Sequence, residues 1–205
     1  MERTIADNIE KSVFTTSKPD SLTHPCVVAF NKTQAASFRH GSNSQFKLDE
    51  IGILYNLRDP AIQFEARVMA FSDLYDVMIF ELLSGEFPNS PRASEPMFSG
   101  QAYTQLSISP DRQPCWKSGI TSQRQGLFSI GTAHRKLGDS GSGIFSVDGY
   151  FLGIAIGKNN PCSNDLQNMP VGEIADHHPD SRMICSQVIL FFSGFISPAN
   201  DYVPT

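Results

Sequence analysis

The run Gly138-Asp139-Ser140-Gly141-Ser142-Gly143-Ile144-Phe145 is the part of this chain best suited to chemistry. A serine nucleophile needs an exposed hydroxyl. It also needs a backbone that can turn N–H groups toward a developing oxyanion. Glycines around Ser140 permit both. On this reading Gly138, Asp139 and Ser140 form the oxyanion hole, through the N–H groups of Gly138 and Ser140. A loop turn explains such a run when it stands alone. The strand-like Ile144-Phe145-Ser146-Val147 and the turn signal Asp148-Gly149 behind it favour the nucleophile. Five histidines are available as a base: His24, His40, His134, His177 and His178. His177 and His178, with Asp176 and Asp180, have the residue types of a metal site. Four side chains of one loop rarely converge, so a solvated loop is expected, with no metal and no cofactor. A lipase-type elbow is excluded, because neither Ser140 nor Ser142 has glycine at both −2 and +2.

The elements that must position this loop read as short β runs between turn residues. Strands are expected over 26–30, 50–55, 64–70, 77–83, 101–108, 126–131, 143–147 and 151–156. Many short strands at short spacing predict an all-β sandwich or barrel. Helical periodicity is scarce. A short helix is expected over 5–13, and 187–196 suits a C-terminal helix or a strand. The proline-bearing stretch 84–99 reads as a connector between two β units.

Composition bounds the partners. A length of 205 residues is enough for a sizeable core. Charged residues at 18% and hydrophobic residues at 40% exclude a disordered chain. A net charge of −5 argues against a nucleic-acid partner, which calls for a basic face. No run is long and apolar enough for a membrane span, and the N-terminus shows no signal-peptide core. Cys26, Cys115, Cys162 and Cys185 form no C-x-x-C pair, so buried free thiols are expected. These features point to a cytoplasmic setting, or a host-cell cytoplasm if the chain is viral. The 15 phenylalanines, against one tryptophan, are expected to fill cores rather than a recognition surface.

The octapeptide around Ser140 resembles the nucleophile loop of chymotrypsin-like serine proteases. Other segments resemble them too. Asp76 followed by Val77-Met78-Ile79-Phe80 is similar to the family's catalytic-aspartate segment. Gly153-Ile154-Ala155-Ile156-Gly157 is similar to the strand that lines the substrate cleft. Ala35-Ala36-Ser37-Phe38-Arg39-His40 resembles the histidine turn, with His24 as the alternative. The order His, Asp, Ser is the family's order along the chain. The resemblance implies a triad of His40, Asp76 and Ser140, acting on a polypeptide substrate. It places Thr132, His134, Ala155, Ile156 and Gly157 at the substrate-binding cleft. Thr132 and His134 would suit a Glu or Gln side chain before the cut.

Departures from the family sharpen the expectation. Gly41 follows His40, and Lys136 lies four positions before Ser140, where secreted relatives carry cysteines. The resemblance is therefore to compact viral or intracellular members. The start Ile-Val-Gly-Gly, which pairs with the aspartate before the serine, is also absent, so Asp139 must find a local partner. The implied architecture is two antiparallel Greek-key barrels with a short C-terminal helix. Residues 1–19 form an N-terminal extension, 20–88 the first barrel, 89–99 the connector, 100–185 the second barrel, and 186–205 the helix and tail. The implied function is a serine endopeptidase, with a polyprotein or the chain itself as the substrate it would process. A chymotrypsin-fold binding module without activity, or a viral structural protein that self-cleaves once, are the rival readings.

Overall fold

The computed structural model describes residues 1–133, 138–156 and 181–194. It contains two closed antiparallel barrels of six strands each. The first comprises β1 (Val13–Thr15), β2 (Cys26–Ala29), β3 (Gln34–Ser37), β4 (Ile51–Asn56), β5 (Gln63–Ser72) and β6 (Val77–Leu82). The second comprises β7 (Ala102–Ile108), β8 (Pro114–Gln125), β9 (Phe128–Gly131), β10 (Gly143–Phe145), β11 (Phe151–Ile156) and β12 (Ser181–Cys185). Strand order is β1-β2-β3-β6-β5-β4 in one, and the same circuit repeats as β7-β8-β9-β12-β11-β10 in the other. Helix α1 (Arg3–Lys11) precedes the first barrel, and α2 (Ser186–Phe192) follows the second. The all-β double barrel with a C-terminal helix is thus as expected. Among the described residues no helix is long and apolar enough to cross a membrane, and no group of side chains could hold a metal ion.

Successive strand residues point to opposite faces, and here both faces are buried. Phe14, Val27 and Ala29 join Leu54, Val68 and Phe80 inside the first barrel. Their neighbours Val13, Cys26 and Val28 join Leu106, Phe145, Phe151, Ile154 and Ile184 in a core shared by both barrels. The second barrel closes around Met97, Tyr103, Ile144, Leu152 and Met183. The phenylalanines therefore fill the first barrel and the core shared by both barrels, while the cluster inside the second barrel holds none. Phe30 stacks on Phe151 across the barrel boundary, with centroids 5.9 Å apart. Phe98 and Phe191 are exposed.

One expectation shifts. The segment 1–19 is not an appendage to the barrel, since β1 pairs with both β2 and β4. Helix α1 also crosses to the second barrel. Trp116 on β8 donates its Nε1–H to Glu10 at 2.7 Å, and Arg58 of the first barrel reaches the same carboxylate. Through Glu10 the helix thus bridges the two barrels.

Candidate active site

His40 stands just past β3, at the entry to a short 3-10 turn, Gly41–Gln45. Asp76 ends the turn between β5 and β6. Its φ of 54° is left-handed, a conformation that aspartate tolerates better than most residues. β3 and β6 are neighbours, with Ser37 opposite Met78. That register brings the two loops together. The N–H groups of Arg39 and His40 both donate to Asp76 Oδ1, at 2.9 and 2.8 Å. His40 Nδ1 lies 2.6 Å from Asp76 Oδ2. Burial pushes the Asp76 carboxyl up, but the His40 hydrogen bond, its charge and the two backbone N–H groups outweigh that and hold it below the ordinary value. Asp76 is therefore an acceptor, and Nδ1 carries the ring proton.

Ser140 comes from the second barrel. Its Oγ lies 3.1 Å from His40 Nε2, the ring nitrogen turned away from Asp76. The structure brings together His40, Asp76 and Ser140. His24 lies elsewhere, buried beside Arg112 and Pro110; burial first, then the Arg112 charge, depress its pKa, while the Pro110 backbone opposes them. The alternative base is thereby placed away from Asp76 and Ser140.

The serine loop is folded by its own sequence. Gly138 and Gly141 have φ of 95° and 82°. Ser142 donates its hydroxyl to Asp139 O at 2.6 Å, and its N–H goes to the same carbonyl. Gly141 N–H donates to Ala155 O, and Ala155 N–H donates to Ser142 O. Ala155 and Ile156 are buried. Ala155 thus supports the serine loop from behind, with both backbone groups engaged. Asp139 is buried and ion-paired to Lys117 Nζ on β8. That lysine is the local partner the sequence demanded but did not identify.

The barrels meet at Gly141. A Cβ there would fall 2.2 Å from Cys26 O on β2 and 2.8 Å from the Phe38 ring. Gly141→Ala must push the serine loop off the first barrel, and the left-handed φ adds strain. We expect kcat/KM to fall at least about 100-fold, since a misplacement of about 1 Å costs that much. Unaltered peptide cleavage by this variant would contradict the packing described. Cys26 itself is no rival nucleophile. Burial pushes its thiol up to about 12, aided by the Asp139 charge and opposed by the Gly143 backbone, so it stays protonated. Cys115 and Cys185 are also free thiols; Cys162 lies outside the described residues.

Of the expected substrate-binding residues, His134 and Gly157 lie outside the described residues, as do His177 and His178. Thr132 is exposed, and its Oγ1 accepts the Ile120 N–H at 2.9 Å. The next residue, Ala133, donates its N–H to Tyr103 OH at 3.0 Å. The buried Tyr103 ring fills space where Gly119 and Gly131 have no side chain.

No family model matches the chain, and no curated protein is similar to it in sequence. Solved structures are similar in fold. The MamO protease domain of Magnetospirillum magneticum, in its apo form, superposes with a TM-score of 0.68 at 11% identity, covering 94% of this chain and 99% of that one. Rv3671c protease from M. tuberculosis, in an inactive form, gives 0.62 at 16% identity over 95% and 93%. An inactive serine-to-alanine mutant of Rv3671c gives 0.63 at 14% identity over 96% and 91%. With two like-wired barrels and these neighbours, the chain has the chymotrypsin-like protease fold.

Proposed function

We propose that the protein is a serine endopeptidase with Ser140 as nucleophile. The observation that carries this reading is the continuous Asp76–His40–Ser140 chain, at 2.6 and 3.1 Å, assembled from both barrels. In this reading His40 Nε2 takes the proton as Ser140 Oγ attacks the scissile carbonyl. Asp76 holds the imidazole tautomer and stabilises the imidazolium that forms. The N–H groups of Gly138 and Ser140 receive the oxyanion, each worth about 3 kcal/mol in the transition state. His40 then returns the proton to the leaving amine, and water releases the acyl group by the reverse path. The substrate is a polypeptide laid along the cleft between the barrels.

Thr132 bears on the residue before the cut. Its Oγ1 accepts the Ile120 N–H on one lone pair, and its O–H can donate toward the cleft. A donor suits a carbonyl or carboxylate, which supports a Glu or Gln side chain there. A peptide library read by mass spectrometry tests both levels. Cleavage after Glu or Gln is expected. Cleavage dominated by basic or aromatic residues overturns the specificity, and no cleavage of any peptide overturns the endopeptidase.

A further inference from the structure

Arg39 sits between the strand that ends at Ser37 and the histidine that follows it. It is 9% exposed, unusual for an arginine next to a cleft. Its Nη1 donates to Asn43 O at 2.7 Å and to Phe46 O at 2.8 Å, both on the chain that leaves His40. Its Nε donates to Asp73 Oδ1 at 3.0 Å, on the turn that carries Asp76. Its guanidinium lies 4.0 Å from the Phe71 ring centroid, just before that turn. Its backbone N–H holds Asp76 itself. One residue therefore joins the chain before His40, the chain after it, and the aspartate turn. Gly41 stands directly after His40, so no cysteine at that position can tie the loop covalently.

We propose that Arg39 is a positioning residue, a non-covalent staple whose planar fork locks the His40 ring against Asp76. The proposal rests on the endopeptidase reading for its effect on turnover, but not for its effect on the ring. It acts through shape rather than charge. Asp73 is 77% exposed, so that ion pair alone is weak. The two carbonyl bonds and the stacking on Phe71 need a flat, multidentate donor, which lysine cannot supply.

The test uses the whole chain with Arg39→Ala, Arg39→Lys and Asp73→Asn. Steady-state kinetics are measured on a cleaved peptide, together with the proton NMR signal of the His40 Nδ1–H. Both Arg39 variants should lower kcat by about 100-fold, with KM changed by less than about three-fold. The Nδ1–H signal should broaden or vanish while the remaining amide dispersion persists. Asp73→Asn should cost less than about three-fold. If Arg39→Ala does not fold, Arg39→Lys decides. A lysine variant with wild-type kcat, or with an intact Nδ1–H signal, overturns the staple. If the wild-type chain cleaves nothing and the signal still collapses in Arg39→Lys, the endopeptidase reading fails and the staple stands.

Discussion

Replacing Ser140 with alanine is expected to lower kcat/KM by about 10⁶-fold. The same loss is expected for His40→Ala, and the double variant should lose little more than either single one. Nucleophile and base act as a unit, so removing either removes the whole advantage of the pair. What survives is the contribution of the oxyanion hole and of substrate binding. Asp76→Asn should cost less, about 10⁴-fold, because it leaves the geometry but favours the wrong imidazole tautomer. Stability should stay within about 0.5 kcal/mol for Ser140→Ala, since the side chain is half-buried and only its hydroxyl is removed. Kinetics on a peptide cleaved by the wild type, with thermal melts beside them, check all of this. A Ser140→Ala protein that still cleaves would refute the assignment.

The second large effect is expected at Lys117. Its ammonium pairs with the Asp139 carboxylate, and both side chains are largely buried. Lys117→Met removes that ammonium from beside the buried carboxylate. Breaking one side of a buried ion pair costs roughly 3–5 kcal/mol. Asp139 lies between Gly138 and Ser140, whose N–H groups are the proposed oxyanion donors, so a displaced Asp139 also misaims them. A further loss of about 10²–10³ in kcat follows. The double variant Lys117→Met, Asp139→Asn removes the buried negative charge as well. It should melt closer to the wild type than Lys117→Met does, while its kcat stays low. Melting curves and kcat for the three proteins test this together. A Lys117→Met protein that melts and turns over like the wild type would show that the pair does not hold the loop.

Much of the site was legible because it is local. The glycines that fold the Ser140 loop lie within six residues of chain. Asp76 stands directly before a strongly apolar strand. Those signals do not depend on what pairs with what. Strands β1, β3 and β8 carry little signal of their own in the sequence. Ala35 and Ala36 in β3 have little strand preference, and their burial comes from the barrel around them. β8 starts at a proline and is mostly polar, so it carries no apolar run to read. Lys117 was hidden for that reason. Its role depends on β8 pairing with β7, where it stands opposite Gln105, and on that sheet reaching Asp139. Arg39 was hidden for a related reason. Its partners Asn43, Phe46, Phe71 and Asp73 span two loops that meet only when the barrel closes. In the sequence the resemblance favours His40 over His24, and the closed barrel shows which ring reaches Asp76.

The most direct test of the central claim is labelling with a fluorophosphonate, followed by mass mapping of the modified peptide. Such reagents react with a serine whose hydroxyl is activated by a neighbouring base. We expect one adduct, on Ser140, within the peptide that contains Gly138-Asp139-Ser140-Gly141, and we expect it to vanish in His40→Ala. An unlabelled wild-type chain, an adduct on another serine, or undiminished labelling in His40→Ala would contradict the account.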